Sequence, residues 1–225
     1  MERIPVYFVP GLASSPRIFE YIKLPQDKFE MHMIDWIIPD KGESLQHYCR
    51  RLSVVIKHPD PVLVGVSMGG IIVQEMGAMV GARKVIIISS VKCNTEFPKR
   101  MWFARNTRLY KLFPTRLMQH LDKVKMIFPR NNKIRRRLEL YEKFLGVRDK
   151  KYLDWSFKNI LEWKRAVPDE SVIHIHGTDD AVFPARYIKN FIPVKGGTHI
   201  MIIDRFGWMN EHLPRIISEN EVFKK

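Results

Sequence analysis

Cysteine is scarce in this chain. Its 225 residues include two, Cys49 and Cys93, and no Cys-x-x-Cys pair, which excludes a disulfide framework and a cysteine-built zinc set. Long apolar runs are lacking too. None approaches the ~18–20 residues of a spanning helix, and the opening "MERIPVYFVPG" has neither an apolar h-region nor a small-residue cleavage site. The expectation is a soluble, cytoplasmic protein. There is no internal repeat and no low-complexity tract. Acidic residues are deficient in one place only: residues 92–165 hold 21 Lys and Arg against 7 Asp and Glu, while the remainder holds 17 of each. The whole formal charge of +14 therefore belongs to one middle segment, and so sharp a step marks that segment as a unit of its own.

What is present is a globular composition, 45% hydrophobic, long enough to bury a sizeable core. Strand-length apolar runs alternate with helix-like stretches. "RIPVYFVPG", 29–39, 61–67, 83–91, 171–177 and 190–197 read as strands. Residues 43–57 place Leu45, Tyr48, Cys49, Leu52 and Val55 on one helix face; 68–81, a stretch near 184–190 and the closing "WMNEHLPRIISEN" also read as helical, with Pro214 at a break or first turn. Several strand runs are apolar throughout rather than alternating, as in strands covered on both faces of a parallel sheet. The basic segment breaks the rhythm with four helical stretches, punctuated by Pro98, Pro114, Pro129 and Gly146. The division expected is a core of 1–91 and 166–225 with a helical cap, 92–165, inserted over the carboxyl edge of the sheet. Its aromatics, among them Trp102, Phe103, Tyr110, Phe113, Phe128, Tyr141, Phe144, Trp155, Phe157 and Trp163, are expected to pack its helices and in part to line an acyl pocket.

The chemistry centres on "VLVGVSMGGIIV", residues 62–73. A strand that enters Gly65-Val66-Ser67-Met68-Gly69 and leaves as a helix is the G-x-S-x-G nucleophile elbow. Ser67 must sit on a sharp turn so that its hydroxyl projects beyond the sheet, and such a turn is tolerated only where neighbouring side chains are absent. A phosphate-binding loop would also be glycine-rich, but the Walker lysine is missing and G-x-G-x-x-G is not matched. A serine nucleophile needs a base, and the base an orienting acid. "HIHGTDDAVFP" offers Asp179 and Asp180 after a strand, and "VKGGTHIMIID" offers His199 after two glycines. His32, His47, His58, His120 and His212 lack that glycine context, and His174 and His176 lie in or at the end of the strand that carries the acid.

These motifs resemble the α/β-hydrolase family, whose acid loop often reads HG-x-x-D-x-x-x-P. Here His176, Gly177, Asp180 and Pro184 match, which favours Asp180 over Asp179, and Gly196-Gly197-Thr198-His199 matches the glycines before the family's histidine. The resemblance covers 1–91 and 166–225; the cap matches by position only. It implies a catalytic Ser67, Asp180 and His199 and an oxyanion hole of backbone N–H groups from Met68 and, in "VPGLASS", Leu12. Pro10 stands where the family more often has histidine. Only about eight residues precede that loop, so the expected fold is a reduced, six-stranded, mostly parallel sheet. The implied activity is a serine hydrolase cleaving a small carboxylic ester or thioester, without cofactor or metal. Carbon–carbon bond hydrolysis on the same scaffold is an alternative. A non-catalytic binding module is another, using the basic cap to contact nucleic acid or an anionic membrane, and the same charge suits an anionic substrate.

Overall fold

A computed structural model describes residues 2–108, 139 and 142–219. Six strands form one all-parallel sheet: β1 (Ile4–Val9), β2 (Phe29–Met33), β3 (Val62–Val66), β4 (Lys84–Ile88), β5 (Ile173–Gly177) and β6 (Ile192–Val194), in spatial order β2-β1-β3-β4-β5-β6. The apolar runs are unbroken because both faces are covered. Tyr7, Val9, Leu63 and Ile87 face α1 (Leu45–Ser53) and α2 (Met68–Gly77), whereas Val6, Phe8, Val64, Ile86 and Ile88 face α5 (Met201–Asp204) and α6 (Phe206–Ser218). Register brings the loops together. Val9 pairs with Gly65 and Val66 with Ile88, while Gly177 pairs with Val194. The segments after β1, β3, β5 and β6 thus all leave at the carboxyl edge.

Several boundaries differ from those expected. The second strand stops at Met33 rather than near 39, because side chains take over from the ladder: Asp35 Oδ1 accepts the Trp36 N–H at 2.8 Å, and the Tyr48 hydroxyl bonds both the N–H and the carbonyl of Ile37. Ser44 caps α1, its side chain accepting from His47 N; the helix ends at Ser53, which leaves Val55 exposed rather than on the buried face. In place of a helix near 184–190 there is a single 3-10 turn, Ala185–Tyr187. The closing helix is continuous through Pro214. Proline there removes the donor for the Asn210 carbonyl, but Met209, Leu213, Ile216 and Ile217 are buried on the same helix and hold it in place.

Of the four helical stretches expected in 92–165, the first is α3 (Lys99–Thr107) and the last is α4 (Lys150–Leu161), capped by the Asp149 side chain, which accepts from Tyr152 N. The second lies outside the described residues, as do most of the third and the aromatics Tyr110, Phe113, Phe128 and Tyr141. Tyr152, Leu153, Trp155 and Trp163 pack into the α1–α2 side of the core and Phe144 into the other, whereas Phe103 is exposed. Cys49 and Cys93 are free and buried. Among the described residues no helix is long and apolar enough to cross a membrane.

Candidate active site

Ser67 lies between β3 and α2 with φ 54° and ψ −116°, a conformation that costs an L-residue about 1–3 kcal/mol. Its surroundings hold it there. Ser67 N–H donates to the Ile88 carbonyl at 2.9 Å, and the Ser90 hydroxyl donates to the Ser67 carbonyl at 2.7 Å. Close approach explains the glycines: a Cβ on Gly65 would stand 2.2 Å from the Gly69 carbonyl oxygen, and one on Gly69 would stand 2.3 Å from that of Val9. Strand β3, helix α2 and the end of β1 meet with no room for a methyl group.

The acid and base loops are joined in the same way. A Cβ on Gly177 would meet the Gly197 carbonyl at 2.2 Å. Thr178 N–H donates to the Val194 carbonyl, Asp179 N–H to that of Gly197, and Gly196 N–H to Thr178 Oγ1. This zipper carries His199 to Asp180. His199 Nδ1 is 2.8 Å from Asp180 Oδ2 and His199 Nε2 is 3.0 Å from Ser67 Oγ. A carboxylate only accepts, so Nδ1 bears the proton and Nε2 is free to receive one from the serine. Asp180 is buried, whereas Asp179 is exposed with its carboxylate turned to Thr178 Oγ1. Burial pushes the Asp180 carboxyl upward, but the hydrogen bond and charge of His199 and the Phe183 N–H outweigh it and leave it below the usual range.

The loop after β1 runs beside the serine: a Cβ on Gly11 would be 3.6 Å from Ser67 Cβ. The Gly11 carbonyl accepts from Ser14 N and from Trp36 Nε1, the latter at 3.0 Å. Ala13 N–H points to the Tyr152 hydroxyl at 3.4 Å, and Ser15 N–H donates to the Phe144 carbonyl. Of the N–H groups at 12–15, only that of Leu12 is unengaged among the described residues. Met68, the first residue of α2, presents one of the N–H groups that a helix start leaves open. Neither of the N–H groups expected from the sequence has a hydrogen-bond partner among the described residues. Trp36 and Tyr152, which hold the loop, were not anticipated; an indole or phenol acting through a distant carbonyl or amide carries no local sequence signature.

No family model matches the sequence, nor does any curated protein. Solved structures do. The enol-lactonase of Burkholderia xenovorans aligns with TM-score 0.71 at 13% identity, covering 97% of this chain and 93% of that one. A thermophilic esterase of Thermogutta terrifontis gives 0.65 at 14%, covering 95% and 89%, and a bromoperoxidase of Bacillus anthracis 0.63 at 17%, covering 97% and 93%. The chain has the α/β-hydrolase fold.

Proposed function

We propose that the protein is a serine hydrolase that cleaves a small carboxylic ester or thioester through an acyl-Ser67 intermediate. One observation carries the reading: the continuous bonded path from Asp180 through His199 to the Ser67 hydroxyl, on a serine held at positive φ. Esterase and lactonase structures among those of the same fold agree with it.

His199 Nε2 takes the proton as Ser67 Oγ attacks the acyl carbon, and Asp180 stabilises the imidazolium. Leu12 and Met68 N–H groups meet the oxyanion, each worth about 3 kcal/mol in the transition state. The same imidazole gives its proton to the leaving alcohol or thiol, then activates water to release the acid. Segment 92–165 acts as a cap on the core formed by 1–91 and 166–225, and its excess of Lys and Arg favours a substrate that carries negative charge. The chemistry asks for no cofactor or metal.

The test is turnover of p-nitrophenyl acetate and butyrate, with fluorophosphonate labelling followed by mass spectrometry. Ser67 carries the label, and Ser67→Ala lowers kcat by ~10³-fold or more with KM little changed. An unchanged rate in that variant refutes the reading.

A further inference from the structure

Two histidines occupy core positions with no part in that chemistry. On the face of β5 turned toward α2 stand His174 and His176, both buried, while Ile173 and Ile175 fill the opposite face. Imidazoles are costly there unless their nitrogens are bonded.

Their hydrogen bonds fix their tautomers. His176 Nε2 lies 2.8 Å from the Phe183 carbonyl, which only accepts, so Nε2 carries the proton. His176 Nδ1 is then an acceptor for the N–H of His174 Nε2, 3.1 Å away. His174 Nδ1 makes no hydrogen bond of good geometry, while the Ser90 backbone beside the ring favours its charged form against the effect of burial. Burial, and the partner ring's charge in the case of His174, push both imidazoles below the usual histidine range, so the pair is neutral. The acceptor of this chain matters. Phe183 N–H donates to Asp180 Oδ1 at 2.9 Å, joined by Val182 N–H at 2.7 Å, and the Phe183 ring meets His199 edge-on at 5.5 Å. One residue thus receives the histidine chain on its carbonyl, holds the acid with its amide and packs on the base with its ring. Only Asp180 Oδ2 is left for His199, while His176 Nε2 stands 3.8 Å from it, too far for a hydrogen bond.

We propose that His176, backed by His174, is a positioning residue: by pinning the Phe183 carbonyl it fixes the 180–183 turn that presents Asp180 to His199. The inference rests on the hydrolase reading for its kinetic consequence but not for its geometry. A neutral donor is required at 176, since a charged one would draw Asp180 Oδ2 away from His199.

The full-length protein is compared with His176→Leu and His176→Gln, the second keeping an N–H donor of similar reach. His176→Leu lowers kcat on p-nitrophenyl butyrate ~10–100-fold, the scale of a small misplacement of catalytic groups, with KM nearly unchanged. It also shifts or abolishes the downfield proton resonance of the His199–Asp180 hydrogen bond, and His176→Gln restores both in large part. Equal losses in both variants with an unmoved resonance, or wild-type kcat in His176→Leu, overturn the proposal. Should His176→Leu fail to fold, ¹⁵N spectra of the imidazoles in the unaltered protein still decide: a proton on His176 Nε2 and none on Nδ1 is expected, and the reverse tautomer or a charged ring overturns it. Full activity in Ser67→Ala would instead defeat the hydrolase reading and leave the tautomer and the resonance as the measure of positioning.

Discussion

Asp179 and Asp180 are adjacent, carry the same functional group and differ only in where the turn sends them. Asp180 is buried against Phe183 N–H and His199; Asp179 faces solvent and Thr178. The difference is measurable. Asp180→Asn presents an amide where His199 Nδ1 needs an acceptor and favours the wrong tautomer, so kcat falls ~10⁴-fold with KM little altered; Asp179→Asn stays within about two-fold, as a surface change should. Steady-state kinetics on p-nitrophenyl butyrate separates the two. A second consequence appears in stability against pH. The Asp180 carboxyl is lowered on folding, so it adds stability above its unfolded value of about 3.9 and withdraws it as pH falls through the native value. Between about pH 5 and about pH 2 the Tm of the wild type should drop further than that of Asp180→Asn, which has no proton to take up at this position. Parallel Tm curves would mean that the native environment of Asp180 does not favour its charged form.

At the level of elements, the elbow depends on contacts of backbone with backbone. Gly65→Ala puts a methyl group 2.2 Å from the Gly69 carbonyl oxygen, so β3 and α2 must separate or the fold must strain; urea unfolding should show a loss of about 3 kcal/mol or more. Gly81→Ala is the control: its φ of +60° is unfavourable for alanine but nothing lies within 4 Å of the added carbon, so the cost should be near 1 kcal/mol. The same contrast explains what was legible in the chain. Gly65, Ser67, Gly69, Gly177, Gly197 and His199 occur in short motifs whose spacing is set by local turns, so the strand-to-helix elbow and both partner loops could be placed before any coordinates. The inner strands β1, β3 and β4 could be placed because each is an apolar run covered on both faces over most of its length, whereas the edge strands β2 and β6 are only partly buried. Strand β2 and the turn at 185–187 were overrun because their ends are decided by remote groups: the Tyr48 hydroxyl holds Ile37, and Glu96 Oε1 accepts the Lys189 N–H at 3.1 Å. The bonds of Trp36 to the Gly11 carbonyl and of His176 to that of Phe183 leave no local trace for the same reason, since each acts on a backbone group whose position only the assembled sheet defines.

At the scale of the whole molecule, described parts of the segment between β4 and β5 bond the loops at the carboxyl edge of the sheet from two sides. Phe144 and Gly146 bond the backbone of the loop after β1, at Ser15 N and the Ala13 carbonyl, and Tyr152 holds Ala13 N. On the other side Arg100 donates from α3 to the carbonyls of Ala181 and Val182, within the turn that carries Asp180. The segment that carries the protein's entire charge surplus is therefore bonded directly to the loops that the proposed mechanism uses. On the proposed reading, the Lys and Arg surplus of this segment raises the encounter rate of anionic substrates, an effect weakened by salt with a screening length near ~10 Å at 0.1 M and ~3 Å at 1 M. The comparison that isolates it uses two esters of the same leaving group, neutral p-nitrophenyl butyrate and anionic p-nitrophenyl hemisuccinate. From low salt to about 0.5 M, kcat/KM for the hemisuccinate should fall several-fold while that for the butyrate stays level. Because acyl transfer and the leaving group are common to both, a general effect of salt on the protein would lower the two together; a salt-independent hemisuccinate rate would show that the basic segment does not act on the substrate.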